Sequence, residues 1–317
     1  MRKLGVGVIG CGSWGKNHAR VYSELDCTDL KAVSDVDEHV ARAIGEKYGV
    51  DWYLHSDKIF ERSDIEAVSI CTPTVSHADI TLDALAAGKH TLVEKPMANS
   101  IEEAKKIISS ANRNHRYLMI GFVERFNPAV TAAINVISSN EIGEVILAHA
   151  RRVSRRPQRI GDVGIIKDLA IHDIDITLQL FKKEPIQDVY AVAGSIAHKF
   201  EDYANINIRF TGNKNAFIET NWLTPRKIRR LIVTCTEGTL NIEYIPQEIT
   251  IENKQRSYTP FIDSNEPLRL ELEHFINSIL NDAPPIPNGE DGLKTLQVCE
   301  AALKSARSHR PEKIENL

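Results

Sequence analysis

Asp168 and His172 stand four residues apart in a stretch, 165–181, whose apolar spacing predicts a helix, so the two share one face. Histidine is suited to moving protons near neutral pH, and a carboxylate one turn away can hold its tautomer or relay the proton. Asp175, one turn further on, is able to do the same. A lone helical histidine is also a common solvated or core residue, so the pair gains weight only in company. Carboxylates around a histidine also admit a metal, but no second histidine sits at ligand spacing. The five cysteines are scattered, without a Cys-x-x-Cys pair, so no metal site is expected and reduced thiols are.

Gly10-Cys11-Gly12-Ser13-Trp14-Gly15 directly follows an apolar run and opens a helical pattern. In that context the first glycine allows a tight turn, the second lets backbone approach a diphosphate, and the third lets helix and strand pack closely. The helix start then offers free N–H groups and partial positive charge to the phosphates, with Ser13 and Trp14 in the turn. Asp35 lies 20 residues after Gly15, at the end of the next run. A carboxylate there accepts from ribose hydroxyls and repels a 2′-phosphate, and no Arg or Lys follows within a few residues, which favours NAD over NADP. Lys95, in Glu94-Lys95-Pro96, ends a later apolar run, and ligands of open α/β sheets bind at the carboxyl ends of strands. An ammonium there can polarise a carbonyl or alkoxide; on spacing alone a surface lysine is an equal reading.

These residues need elements to position them. The apolar runs 4–9, 30–33, 67–70, 90–93 and 117–120 are short and rich in Val, Ile and Leu, as expected for parallel strands buried on both faces. Helical patterns at 13–25 and 76–87, and a capping box at Ser100-Ile101-Glu102-Glu103, lie between them. Repeated strand–helix–strand units predict an α/β, doubly wound dinucleotide-binding domain over 1–121. After Gly121 the pattern changes. Asn127-Pro128 starts a helix, and mostly strands follow at 145–153, 186–193, 204–210, 216–220, 230–236 and 239–242, interrupted by the helix over 165–181 and closed by helices at 268–280 and 289–308. Alternation such as Asn205-Ile206-Asn207-Ile208-Arg209-Phe210 predicts a mostly antiparallel, open sheet with one covered face, in a second α/β domain over 122–317.

Composition agrees with two soluble domains: 317 residues, 42% hydrophobic and 26% charged. A formal net charge of −4 gives no support for a nucleic-acid partner, and no apolar run is long enough to span a membrane. The N-terminus enters a strand at once with no cleavage site behind it, so a cytoplasmic location is expected. A half-covered sheet leads us to expect self-association, as a homodimer or homotetramer.

The glycine loop, Cys71-Thr72-Pro73 with His77, Glu94-Lys95-Pro96, Gly121-Phe122 with Arg125, and Asp168-x-x-x-His172-x-x-Asp175 occur in this order. Together the chain resembles the Gfo/Idh/MocA oxidoreductases over essentially its whole length. The resemblance implies an N-terminal Rossmann domain, a C-terminal domain with an open, mostly antiparallel sheet, and oxidation of a sugar-like carbinol with a nicotinamide cofactor. Carried over, Lys95 matches the active-site lysine, His172 the acid/base histidine and Asp168 its assisting aspartate. Thr72 and Pro73, with His77 in the same motif, match the loop on the nicotinamide side, Glu94 matches the cofactor-contacting acid, and the Lys95–Pro96 bond is expected to be cis. Ala170 and the single Gly164 depart from glycines common in relatives.

The segments 121–128 and 159–164 resemble the subgroup that oxidises the 3-hydroxyl of UDP-N-acetylglucosamine or its uronate. Arginine forks suit phosphate, which makes Arg155, Arg156 and Arg159, together with Arg125, the candidate substrate residues, with the alternative that such arginines are solvated or at interfaces. The cluster Arg226-Lys227-Ile228-Arg229-Arg230 is assigned no place in the site. A dehydrogenase of a free polyol or hexose and a catalytically silent NAD-binding regulator are the competing readings; the second would be expected to lose Lys95 or His172.

Overall fold

The structure, a computed structural model, describes residues 2–156 and 162–314. The chain divides into two compact units: residues up to Val123 together with Leu268–Leu293, and Glu124–Pro267 together with the chain from Lys294 onward. A single cut after residue 121 is therefore amended. The returning segment joins the first unit because Leu272, Phe275 and Ile276 of the helix Pro267–Leu280 are buried. Beyond that helix, Asn288 bridges to Met119, and Gly292 packs against Ile120 and Met97.

The first unit runs β1 (Leu4–Ile9), α1 (Gly15–Glu24), β2 (Thr28–Ser34), α2 (Glu38–Tyr48), β3 (Asp51–Tyr53), α3 (Asp57–Phe60), β4 (Ala67–Ile70), α4 (Thr74–Ala86), β5 (His90–Glu94), α5 (Ile101–Arg113) and β6 (Leu118–Gly121). Its six strands are all parallel, in the order β3-β2-β1-β4-β5-β6. Connections leave β1 toward β2 on one side and return to β4 on the other, so the loops after β1 and β4 flank the switch point where such sheets bind nucleotides. The five expected strands are present. β3 escapes periodicity because it has three residues, none of them buried. α2 is delimited by local chemistry: Asp37 accepts from the N–H groups of His39 and Val40, and Gly49 ends the helix at φ +65°. The Ser100/Glu103 capping box forms as expected.

The second unit begins with a 3₁₀ turn (Val123–Phe126), followed by α6 (Pro128–Ser138), β7 (Val145–Arg155), a π-helical turn (Ile166–Ala170), α7 (Ile171–Leu180), β8 (Ile186–Gly194), β9 (Tyr203–Phe210), β10 (Lys214–Asn221), β11 (Leu223–Cys235), β12 (Gly238–Glu243), β13 (Glu248–Asn253) and β14 (Ser257–Tyr258). The helices α8 (Pro267–Leu280) and α9 (Gly289–Ser308) finish the chain. The sheet order is β14-β13-β12-β11-β7-β10-β9-β8, antiparallel except for the parallel β7–β10 pair. Ala204, Ile206, Ile208 and Phe210 point to the face covered by α7, where Phe210 stacks on Phe181 at 4.4 Å. The opposite face carries Leu147, Phe217, Tyr190 and Val192, all exposed. The C-terminal sheet is therefore open, as expected. No helix among the described residues is long and apolar enough to cross a membrane.

Candidate active site

In the first unit the three glycines of the loop do different work. Gly10 has φ +83°, and a Cβ there would lie 2.8 Å from the Thr72 nitrogen; a Cβ on Gly15 would collide with the Gly10 carbonyl oxygen. Those two are packing glycines, needed where β1, α1 and the loop after β4 close on each other. A Cβ on Gly12 would meet nothing within 4 Å, and Gly12 and Ser13 are exposed at the start of α1. The loop thus leaves open space beside backbone N–H groups at a helix N-terminus, which is what a diphosphate requires. The Asp35 carboxylate is oriented from both sides: its Oδ2 accepts from the Cys11 N–H at 2.7 Å and its Oδ1 from the Asp37 N–H at 2.9 Å. Val36, next to it, is 87% exposed and offers an apolar surface beside the carboxylate. Burial, and after it the charge of Asp35, push the Cys11 thiol up to about 12; burial and then Glu94 likewise raise Cys71, so neither is a thiolate nucleophile at neutral pH.

The loops after β4 and β5 are tied together. His77 is buried, with Nδ1 2.8 Å from the Pro96 carbonyl oxygen and Nε2 2.8 Å from that of Thr72. Both ring nitrogens thus face backbone carbonyls, which makes His77 a brace between the loops that carry Thr72, Pro73 and Lys95. Ser76 Oγ lies 2.9 Å from Thr72 Oγ1 and 2.9 Å from the Pro73 carbonyl oxygen. Glu94 is buried as well. Its Oε1 meets His18 Nε2 at 3.1 Å, its Oε2 accepts from the Lys95 N–H at 3.3 Å, and only a glycine at 121 leaves room for its carboxyl. Lys95 is half-buried at the end of β5, and the Lys95–Pro96 peptide is cis, as the resemblance implied.

These residues fit a dinucleotide: the space at Gly12, the exposed end of α1, the oriented Asp35 and the braced loops all lie around one switch point. Gly12→Val fills that space without touching packed atoms. We expect the variant to keep the wild-type melting temperature and to bind NADH at least about tenfold more weakly in a fluorescence titration. Gly15→Ala, by contrast, should lose stability.

In the second unit, Asp168 and His172 are 4% and 7% exposed. Asp168 lies on the π-helical turn and His172 in the first turn of α7, so the expected helix holds both but is wound more loosely at its start. Glu201 secures that start. Its Oε1 accepts from the Ile166 N–H at 3.2 Å, its carbonyl from the Ile165 N–H at 3.0 Å, and a Cβ on Gly164 would collide with its carboxyl. One glycine at 164 therefore suffices for the entry to this helix. Burial raises the Glu201 carboxyl above its ordinary range, opposed by backbone donors.

Arginines on neighbouring elements grip α7. Arg152 Nε and Nη2 donate to Asp173 at 2.7 and 3.0 Å, and Nη1 donates to Glu124 at 2.7 Å, with its guanidinium 4.8 Å from the Tyr244 ring centre. Arg229 Nη1 donates to the same Glu124 oxygen at 3.1 Å. Arg125 grips Asp175 through Nε at 2.7 Å and Nη2 at 2.5 Å, and Thr295 Oγ1 donates to Asp175 at 3.4 Å. Burial alone would push Glu124 up, but Arg152 and then Arg229 hold it below the ordinary carboxylate range. Burial opposes the Arg152 charge, and Asp173 and Glu124 outweigh it.

The expected substrate arginines therefore divide. Arg125 is committed to Asp175. Arg155 is exposed at the end of β7, Arg156 is exposed and donates to the Ala197 carbonyl at 3.3 Å, and Arg159 lies outside the described residues. The grip on α7 was invisible in sequence because its partners are 21 to 105 positions apart. Among the described residues no group of three His, Cys, Asp or Glu side chains is arranged to hold a metal.

Residues 4–122 match the oxidoreductase family described as having an NAD-binding Rossmann fold, and residues 130–241 match the GFO/IDH/MocA C-terminal domain. The chain belongs to the Gfo/Idh/MocA family. It is 31% identical over 324 residues to an inositol 2-dehydrogenase of Rhizobium meliloti, covering 96% of this chain and 97% of the relative. It is 27% identical to a UDP-N-acetylglucosamine 3-dehydrogenase of Acidithiobacillus ferrooxidans, covering 93% and 95%. The solved structure of that dehydrogenase, GnnA, superposes with a TM-score of 0.90 at 26% identity, over 97% of this chain and 99% of that one. A levoglucosan dehydrogenase solved with NADH and levoglucosan shares the fold, with a TM-score of 0.91 at 21% identity over 99% of this chain and all of that one. This Gfo/Idh/MocA chain is an NAD-dependent oxidoreductase acting on CH–OH groups.

Proposed function

We propose that the chain oxidises the 3-hydroxyl of a UDP-N-acetylglucosamine-type nucleotide sugar with NAD. The observation that carries the catalytic part is the buried Asp168–His172 pair at the head of a helix gripped by arginines, in a chain that also keeps Lys95 on the loop after β5. The substrate part is supported by the likeness to the UDP-N-acetylglucosamine 3-dehydrogenase in sequence and in structure.

His172 takes the hydroxyl proton as general base, and Asp168 positions the imidazole. The Lys95 ammonium donates to the oxygen as it gains negative charge, and then to the ketone. Gly10, Gly12, Ser13, Trp14 and Gly15 would hold the diphosphate, Asp35 would accept from the adenosine ribose, and Thr72 and Pro73 would line the nicotinamide side, with His77 and Glu94 bracing those loops. A nicotinamide held there would supply the acceptor for the hydride that leaves the carbinol carbon. Asp35 selects against NADP by repelling a 2′-phosphate. Arg155, Arg156 and Arg159 are proposed phosphate contacts. The exposed apolar side chains on the outer sheet face fit a homodimer or homotetramer, and the chemistry fits a cytoplasmic enzyme.

The 31% identity to an inositol 2-dehydrogenase favours a second reading, a free polyol such as myo-inositol. NADH formation with UDP-N-acetylglucosamine, its uronate and myo-inositol separates the two. A nucleotide sugar turned over with the higher kcat/KM supports the first, and preference for myo-inositol replaces it with the second.

A further inference from the structure

His18 has no part in the reading above, yet it is completely buried one turn into α1, the helix whose exposed start is open to a diphosphate. Its Nε2 lies 3.1 Å from Glu94 Oε1, and a carboxylate only accepts, so the imidazole is the donor. Its Nδ1 has no hydrogen-bond partner among the described residues, and a proton there would be stranded in the core. The ring is thus a single donor aimed at Glu94.

The ring has little freedom to turn. Tyr22, one turn along α1, packs edge-on to it with ring centres 6.4 Å apart, and the Tyr22 hydroxyl is 2.8 Å from Ser69 Oγ on β4. A wall stands on the other side of Glu94: a Cβ at Gly121 of β6 would lie 2.9 Å from its Cδ and Oε1. Glu94 is therefore held between α1 and β6, one oxygen on His18 and the other accepting from the Lys95 N–H at 3.3 Å. These contacts run from β4 through α1 to the backbone of the lysine, all inside the first unit. With His18 gone, a buried carboxylate would keep the Lys95 N–H and lose its side-chain donor, so it would be free to swing and carry that backbone with it.

We propose that His18 is a positioning residue for the dehydrogenation. It fixes the Glu94 carboxyl and, through it, the backbone from which the Lys95 side chain springs, so the helix that receives the dinucleotide also sets where the ammonium stands. The catalytic half rests on Lys95 acting at the reacting oxygen; the hold on the Lys95 backbone does not.

The test compares, in the full chain, His18→Met, which removes the donor at similar volume, with His18→Gln, whose amide nitrogen reaches the place of Nε2. Hydrogen exchange read by mass spectrometry needs no sugar: the Lys95 amide should exchange about tenfold or more faster in His18→Met and near the wild-type rate in His18→Gln. Turnover is then measured with saturating NAD and the better of UDP-N-acetylglucosamine and myo-inositol. We expect kcat to fall about 10–100-fold in His18→Met, the scale of a misplaced catalytic group, and to recover to within about threefold of wild type in His18→Gln, with NADH affinity within about threefold in both. In a Lys95→Met background the loss caused by His18→Met should disappear, because both changes act through one ammonium. A loss that persists there, a His18→Gln enzyme as slow as His18→Met, an unchanged kcat in His18→Met or an unchanged Lys95 amide overturns the proposal. Should the melting curve show that His18→Met folds poorly, His18→Asn, whose amide stops short of Glu94, takes its place. Failure of the dehydrogenase reading looks different. If neither sugar yields NADH that reading fails and the exchange rates decide the hold on Lys95; if Lys95→Met turns over like wild type, both fall.

Discussion

Replacing His172 by asparagine lowers kcat by about 10²–10⁴-fold, the range a positioned general base supplies, equivalent to about 3–5 kcal/mol of barrier. His172 is 7% exposed on the first turn of α7, so no solvent-borne base readily takes its place. The effect should fall on kcat and kcat/KM alike, because the proton leaves only as the carbinol is oxidised. NADH affinity should be unchanged, since the glycine loop and Asp35 lie in the other unit. Steady-state kinetics paired with an NADH titration checks both points. Turnover close to wild type would remove His172 from the role, and loss of NADH binding would mean that the substitution acts on the fold or the cofactor instead.

Arg152→Met is expected to destabilise the protein by about 3–5 kcal/mol at neutral pH. Arg152 is 1% exposed and donates to both Asp173 and Glu124, so its loss leaves two buried carboxylates, with Arg229 still on Glu124 alone. Methionine fills much of the volume, which makes uncompensated charge the main cost. The pH dependence distinguishes this from a packing defect. Glu124 has its folded pKa lowered below the ordinary value of 4.5, so in the wild type its contribution is present above about 4.5 and is lost as pH falls through the lower folded value. In the variant, protonation relieves the stranded carboxylates. The difference between variant and wild type should therefore shrink as pH falls from 7 toward 4. Urea titrations across that range would show it, and a pH-independent difference would assign the cost to packing.

Much of the first unit could be read from its residues because its determinants are local. Gly10, Gly12 and Gly15 follow a buried strand at fixed spacing, and Ser100 and Glu103 cap each other within one turn. Asp37 and Gly49 are equally local signals, bounding α2 at its two ends. β3 could not be read, since three exposed or half-buried residues have no periodicity and are held by contacts distant in sequence, the pairing to β2, Trp52 against Gly45 of α2, and Arg62 on Asp51 and Tyr53. The residue pairs around α7 were hidden for a different reason. Arg152 looks like one more member of the arginine-rich stretch 151–159, and only the register of β7 turns it inward while Arg151 pairs with Glu219 on the opposite face. His77 shows the same limit: its motif is visible, but its use as a brace depends on where the carbonyls of Thr72 and Pro96 fall.

Residues 268–293 fold back into the first unit, so neither unit is encoded by one uninterrupted stretch of the gene. A recombinant fragment ending at Val123 would strip away the helix that buries Leu272, Phe275 and Ile276, and with it the partners of Ile120 and Met97 at Gly292. Transplanting the nucleotide-binding half between relatives needs two junctions rather than one, with the returning segment carried along on a designed linker. Hybrids made by a single crossover near residue 122 would inherit that helix from the wrong parent.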